Sequence, residues 1–243
     1  VHLHIALRLA SGRDDWHDLM MVPCAGVDGC PQGWVVATRD RGRITAHVVA
    51  DLTSTITDTF RVGIDMPIGL PSTPGRAADR GARSLLGPRR SSVFPAPARP
   101  LLECRSHAEA NALSRSLFGL GMSVQTFHLL PKIREVDALA RGLDPSDRAR
   151  RLAEVHPECS FLVASGSPLA SKHTPEGSAR RRAVVELVVG EVPPVPRGAR
   201  LDDVLDACAA LWSAERFARG EHLTVPEGTI ESDEYGTLMR IVV

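Results

Sequence analysis

The sequence predicts an α/β fold: a mixed sheet of five strands, helices on both of its faces, and a large helical insert. Three observations point there. Four short runs rich in β-branched residues follow one another between residues 24 and 65, each stopped by turn residues. A long middle stretch has helical rather than alternating spacing. A single strong amphipathic helix then occupies residues 201–219. One domain is expected for 243 residues, because single cores stop growing only beyond roughly 250–300 residues.

Each element has its own signal. Residues 24–28 are an apolar strand running into the turn Gly29-Cys-Pro-Gln-Gly33, and residues 34–38 form the second strand. Residues 39–42 make a polar, glycine-ended turn, and residues 43–50 alternate as a third strand, completing an antiparallel meander. A short helix is expected over 51–60, capped by Thr53 or Ser54. Residues 62–65 are a buried strand stopped by Met66-Pro67. The insert, residues 67–151, holds helical segments at 76–86, 107–120 and 131–141, with an extended proline-rich run at 94–100. Residues 152–156 read as a strand placed beside the first, 176–189 as a weaker helix, and 192–197 as a proline-broken linker. In the last helix Leu201, Val204, Leu205, Cys208, Leu211, Trp212 and Phe217 fall close to a 3.6-residue period, and Gly220 ends it. The tail 235–243 is expected to add an edge strand.

Composition narrows the class. Apolar content of 43% and charged content of 24% are those of a globular protein. No run approaches the roughly 20 apolar residues that span a bilayer. Lysine plus arginine equals aspartate plus glutamate, 29 each, so the chain has no global basic excess to coat nucleic acid, and any phosphate contact must be local. Only Lys132 and Lys172 are lysines. The five cysteines, an odd number, fit no zinc spacing; reduced thiols and a cytoplasmic location are expected. Residues 1–21 lack both a core pattern and the features of a signal peptide. They read as a mobile tail or as sequence upstream of the true start, leaving 22–243 as the domain.

The acids carry the chemistry. Asp28 ends the first strand and Asp65 the fourth, while Asp203 and Asp206 lie three apart at the start of the last helix and share one face. Carboxylates at strand ends and a helix start can converge above a sheet edge, and hard divalent cations such as magnesium or manganese take oxygen ligands. Two such ions can clamp the attacking and leaving oxygens of a phosphodiester. Asp28 and Asp65 also suit turns, and Asp202 or Asp203 suits a helix cap. Asp206 is harder to explain that way, because it sits among Val204, Leu205, Cys208 and Ala209, where a lone carboxylate is costly.

Several motifs together resemble a known family. They are Gly26-Val-Asp-Gly-Cys-Pro-Gln-Gly-Trp34, Gly63-Ile-Asp-Met-Pro-Ile-Gly-Leu-Pro71, Arg90-Ser-Ser-Val-Phe-Pro-Ala-Pro97, Pro131-Lys-Ile-Arg-Glu-Val-Asp137 with Gln125 before it, Glu154-Val-His-Pro-Glu158 and Asp202-Asp-Val-Leu-Asp-Ala207. The chain resembles, over about residues 25–239, a prokaryotic domain-of-unknown-function family described as a predicted RNase H-like nuclease. In acid placement it is also similar to Holliday-junction resolvases. The resemblance implies an RNase H-like (ribonuclease H) fold and hydrolysis of nucleic-acid phosphodiester bonds by a two-metal-ion mechanism. It assigns Asp28, Asp65, Asp203 and Asp206 as catalytic metal ligands for Mg2+ or Mn2+, and suggests a homodimer, as among resolvases. The long insert departs from true resolvases and leaves DNA, RNA, junction or nucleotide open as substrate.

Other residues are candidates beside these four. Lys132, Arg134 and Glu135 follow Pro131 at an expected helix start, where free amides favour an anion. Arg90, with Arg89, Ser91 and Ser92, could also face a phosphate. Glu158 is a candidate extra ligand or general base. The run Arg180-Arg-Arg182 reads first as a solvated face. Two other functions stand beside the nuclease: a phosphotransferase or nucleotide-binding protein using the Asp28-Gly29 hairpin, and a non-catalytic module that binds metal or nucleic acid.

Overall fold

The computed structural model describes residues 23–53, 55 and 61–243. The expected tail and most of the expected 51–60 helix lie outside the described residues.

The sheet is mixed and has seven strands, in the order β3-β2-β1-β4-β5-β7-β6. β1 (Cys24–Cys30), β2 (Gly33–Asp40) and β3 (Arg43–Val49) form the antiparallel meander. The β2–β3 turn needs positive φ at both central residues, and Arg41 (46°) and Gly42 (82°) provide it, as a two-residue hairpin requires. β4 (Arg61–Ile64) pairs parallel with β1, and β5 (Leu152–Glu154) pairs parallel with β4 rather than with β1. The sequence places β5 beside the first strand, and the sheet order corrects that.

The expected five strands are too few. The C-terminal residues form β7 (Ile241–Val242), which pairs parallel with β5 and antiparallel with β6 (Thr224–Val225). The tail strand is therefore internal, and β6 forms the edge. Two-residue strands carry too little alternation to be read from sequence.

Between β4 and β5 lie four helices: α1 (Ala77–Leu86), α2 (His107–Phe118), α3 (Val124–Gly142) and α4 (Pro145–Arg151). After β5 come α5 (Pro157–Ser165), α6 (Pro175–Val188) and α7 (Leu201–Arg219). None of the described helices is long and apolar enough to cross a membrane. α3 begins seven residues before Pro131, the expected start. Ser123 caps it, accepting from the Thr126 amide at 3.0 Å, and Pro131 sits inside the helix. The ring removes one donor there but does not end the helix. Lys132, Arg134 and Glu135 therefore have no free helix-start amides beside them.

Two apolar clusters clothe the sheet. On one face Ala25, Val27, Val62 and Ile64 meet Leu130, Ile133, Val136 and Ala140 of α3. On the other, Cys24, Val35 and Ala37 meet Leu205, Cys208 and Leu211 of α7. α7 lies unusually close to the sheet because two strand glycines allow it. A Cβ at Gly26 would fall 2.1 Å from the Ala207 carbonyl oxygen, and one at Gly63 would fall 2.6 Å from that of Ala210. The alternation of a strand puts Asp28 on the same face as Gly26, and Asp65 follows the parity of Gly63. The glycines that admit α7 thus bring its acid-bearing end toward the acids at the strand ends.

Candidate active site

Of the six carboxylates that line one cavity of about 490 Å3, three from three elements act on one another: Asp28 of β1, Asp65 just after β4, and Asp206 of α7. Asp28 is 9% exposed and Asp206 4%. Burial pushes all three up from the usual carboxylate range. Asp28 is raised well above it, next by the charges of Asp65, Asp206 and Asp203. Burial raises Asp65 to about 7, against the opposing pull of Lys172 and of a hydrogen bond with Asp28. Burial raises Asp206 to about 6, again opposed by Lys172. Like charges in one site cannot all ionise cheaply.

Positive charge in this cluster comes from Lys172, whose Nζ donates to Asp206 Oδ2 at 2.7 Å. Lys172 sits in the loop between α5 and α6. That loop is tied down by Arg181 of α6, which donates to the Ala170 carbonyl at 2.8 Å. The same arginine grips Glu158 with three hydrogen bonds at 2.7, 2.7 and 3.2 Å. Glu158 lines the cavity, but its carboxylate is occupied by a buried cation.

The other sequence candidates divide. Lys132 lines the cavity, lies 4.3 Å above the Trp34 ring, and donates to the Gly33 carbonyl at 2.5 Å. Glu135 instead accepts from the Trp34 indole at 3.0 Å and from the Leu52 amide at 2.8 Å, so it braces the β1–β2 hairpin from behind. Arg134 donates to the Leu102 carbonyl at 2.6 Å. Asp203 accepts from the Arg200 amide at 2.8 Å, tying down the start of α7, and does not line the cavity. Arg90 is exposed and outside the cavity, whereas Arg89, Ser91 and Ser92 line it. The Arg89 Nε is buried without a hydrogen-bond partner.

Sequence reasoning missed four residues that shape the site: Lys172, Arg76, Asp79 and Glu154. Arg76 is 2% exposed and donates to Glu154 at 2.6 and 2.8 Å and to Asp79 at 2.6 and 3.1 Å. One signal was available. The two lysines of this arginine-rich chain both line this cavity.

The donor chemistry suits a hard divalent cation, which takes carboxylate oxygens. Among the described residues, however, no group of three or more His, Cys, Asp or Glu side chains stands at metal-binding spacing. The Lys172 ammonium supplies positive charge here, and a bound metal ion would have to compete with it for Asp206.

A family model described as "Protein of unknown function (DUF429)" matches residues 26–230. Comparison with curated proteins and with solved structures gives no match.

Proposed function

The chain belongs to the DUF429 family, and on that premise we propose that it is a divalent-metal-dependent phosphodiesterase acting on nucleic acid, built on an RNase H-like core. One observation carries the reading. Asp28, Asp65 and Asp206 are held in one cavity against burial and mutual repulsion. A structural cluster gains nothing from such an arrangement, whereas a cation site gains affinity from it. Contiguous strands in the order β3-β2-β1-β4-β5 support the expected five-stranded core, with β7 and β6 as an extension.

The chain's own groups divide the work. Asp28, Asp65 and Asp206 would hold the metal ions. Lys132 and Arg89, on the cavity wall, would hold the phosphate. Glu158, fixed by Arg181, keeps the Lys172 loop in place. Bound divalent ions supply a nucleophilic water and stabilise the leaving oxygen. In the reaction the water oxygen bonds to phosphorus, the P–O bond to the sugar oxygen breaks, and that oxygen leaves with a proton.

The test is a cleavage panel of single-stranded, duplex, branched and RNA–DNA hybrid substrates with manganese, wild type beside Asp28→Asn and Asp206→Asn. The expected result is cleavage by the wild type that falls at least about a hundredfold in both variants, as for loss of a group acting in the transition state. A folded wild type that binds manganese but cleaves nothing would sink the nuclease reading and point to a small phosphorylated substrate or a non-catalytic role.

A further inference from the structure

We propose that the nucleic acid this site accepts is single-stranded, with one nucleotide entering the cavity and its base lying against Phe94. The inference rests on the phosphodiesterase reading and adds the form of the substrate.

The first argument is depth. Two of the three carboxylates that would face the phosphate are almost fully buried, at 9% for Asp28 and 4% for Asp206, and Asp65 is partly buried. They lie within a cavity of about 490 Å3, inside the roughly 300–1,000 Å3 range of small-ligand pockets. A duplex is stiff, with a persistence length of about 50 nm, and cannot fold one of its phosphates into such a space cheaply. A single strand bends at every nucleotide.

The second argument is the wall. Phe94 lines the cavity and is 45% exposed. Among the described residues the exposed Phe, Tyr or Trp rings are Phe94 and Tyr235. Tyr235 is covered by the guanidinium groups of Arg99 and Arg141, 4.7 and 4.3 Å from its centroid. Phe94 has no such partner, yet its backbone is pinned on both sides. Arg83 donates to the Val93 carbonyl at 2.9 Å, and the Ala96 amide donates to Asp79 at 2.9 Å. Prolines at 95 and 97 stiffen the segment further. A partly exposed aromatic ring on a rigid support beside a cavity of nucleotide size is the platform that unpaired bases stack on.

The third argument is charge. Tracking a long backbone takes many basic contacts, and the chain's formal net charge is zero. The cations found on this cavity, Lys132, Lys172 and Arg89 among them, suffice for one or two phosphates.

The experiment is fluorescence anisotropy with a labelled short oligothymidine and with the same strand in a duplex, using calcium to allow binding without turnover. Wild type, Phe94→Ala and Phe94→Trp are compared, with binding of an abasic strand of the same length, which keeps the phosphates and has no base, measured alongside. The single strand should bind at least about tenfold tighter than the duplex, and Phe94→Ala should weaken it about 5- to 100-fold, the worth of one stacked base. Phe94→Trp should restore it. The abasic strand should bind wild type more weakly than the oligothymidine does and should gain nothing from the ring, so its affinity should differ by less than about twofold between wild type and Phe94→Ala. Equal or tighter duplex binding, unchanged single-strand affinity in Phe94→Ala, or no oligonucleotide binding at all would each overturn the inference. If wild type hydrolysed no oligonucleotide in manganese while the single strand bound through Phe94 in calcium, the phosphodiesterase reading would fall and the single-strand inference would stand.

Discussion

Two buried acid clusters sit side by side at the ends of β4 and β5, and they are built in opposite ways. Glu154, the last residue of β5, and Asp79 of α1 share Arg76, which reaches both with four hydrogen bonds and also donates to the Gly69 carbonyl at 3.2 Å. Backbone adds to this: Glu154 Oε2, already held by Arg76, also accepts from the Ile68 amide at 2.8 Å, and Asp79 Oδ2, the oxygen Arg76 does not reach, accepts from the Ala96 amide at 2.9 Å. Burial still raises Glu154, but Arg76 works against it. The neighbouring trio, Asp28, Asp65 and Asp206, has one half-buried lysine, which reaches Asp206 at 2.7 Å. Each carboxylate of the first cluster is hydrogen-bonded by Arg76 and by a backbone amide; in the second, Lys172 reaches Asp206, while Asp28 is raised by the charges of Asp65 and Asp206. Residue type and position at a strand end are alike in both, so neither distinguishes structure from function. What distinguishes them is whether the partners are already present.

The sharpest way to break this comparison is to remove the cation from the satisfied cluster. Arg76→Met should leave two buried carboxylates without a counter-ion and cost about 3–5 kcal/mol, the scale for breaking one buried pair. Urea unfolding measures it. A cost below about 1 kcal/mol, the level of an exposed pair, would show that the cluster is solvated and that the contrast is false.

The unsatisfied cluster predicts a pH dependence of stability in metal-free protein. Asp65 is raised to about 7 and Asp206 to about 6 from an ordinary value of 3.8. A raised carboxylate binds its proton more tightly when folded. Its contribution to stability is therefore fully present below about pH 4 and is lost as pH rises through 6 and 7. Thermal unfolding in EDTA should accordingly show wild type losing stability between pH 5 and pH 8, over and above the background from other groups. Asp65→Asn should flatten that slope, because the amide has no proton to lose. Manganese should flatten it as well if the trio binds the ion, since ligands that favour the folded state stabilise it. A wild type and an Asp65→Asn variant with parallel pH profiles would show that the three carboxylates are not held against repulsion.

The contrast also explains how much was legible in the sequence. The meander, β4 and the span of α7 were readable because each has a strong period or a turn signal, and the motif acids were readable because strand ends and a helix start are local features. Gly26 and Gly63 were visible in those motifs, but their purpose was not. They open room for the backbone of α7, a residue pair nearly 150 positions away or more. Lys172 and Arg76 were invisible for the same reason. Each reaches its acid across the fold, 34 positions from Asp206 and 78 from Glu154, and nothing in the local pattern marks it. The run at 180–182 shows the limit most simply: three arginines that look alike, of which Arg181 is buried on Glu158 while Arg180 and Arg182 are exposed. β6 and β7 are short enough that only the neighbours they pair with define them.

The smallest expected effect is also the finest test of whether unmet demand marks the site. Arg89 and Arg90 are adjacent in the turn Gly87–Ser92, and the sequence gives no reason to separate them. The structure does. Arg89 lines the cavity with a buried Nε that has no partner, whereas Arg90 points to solvent outside it. An unpaired guanidinium nitrogen beside buried acids is a donor waiting for a phosphate oxygen, and charge-assisted bonds of that kind are the stronger ones. Arg89→Ala should therefore weaken oligonucleotide binding about tenfold, near the 1.5 kcal/mol lower end for a hydrogen bond to a charged group. Arg90→Ala should change it by less than about twofold, as a screened surface charge does. Anisotropy titrations of the two variants at one salt concentration decide the matter. Equal losses would mean that both act through the long-range field of the turn, in which case the unsatisfied atom carries no information and the comparison between the two acid clusters loses its generality.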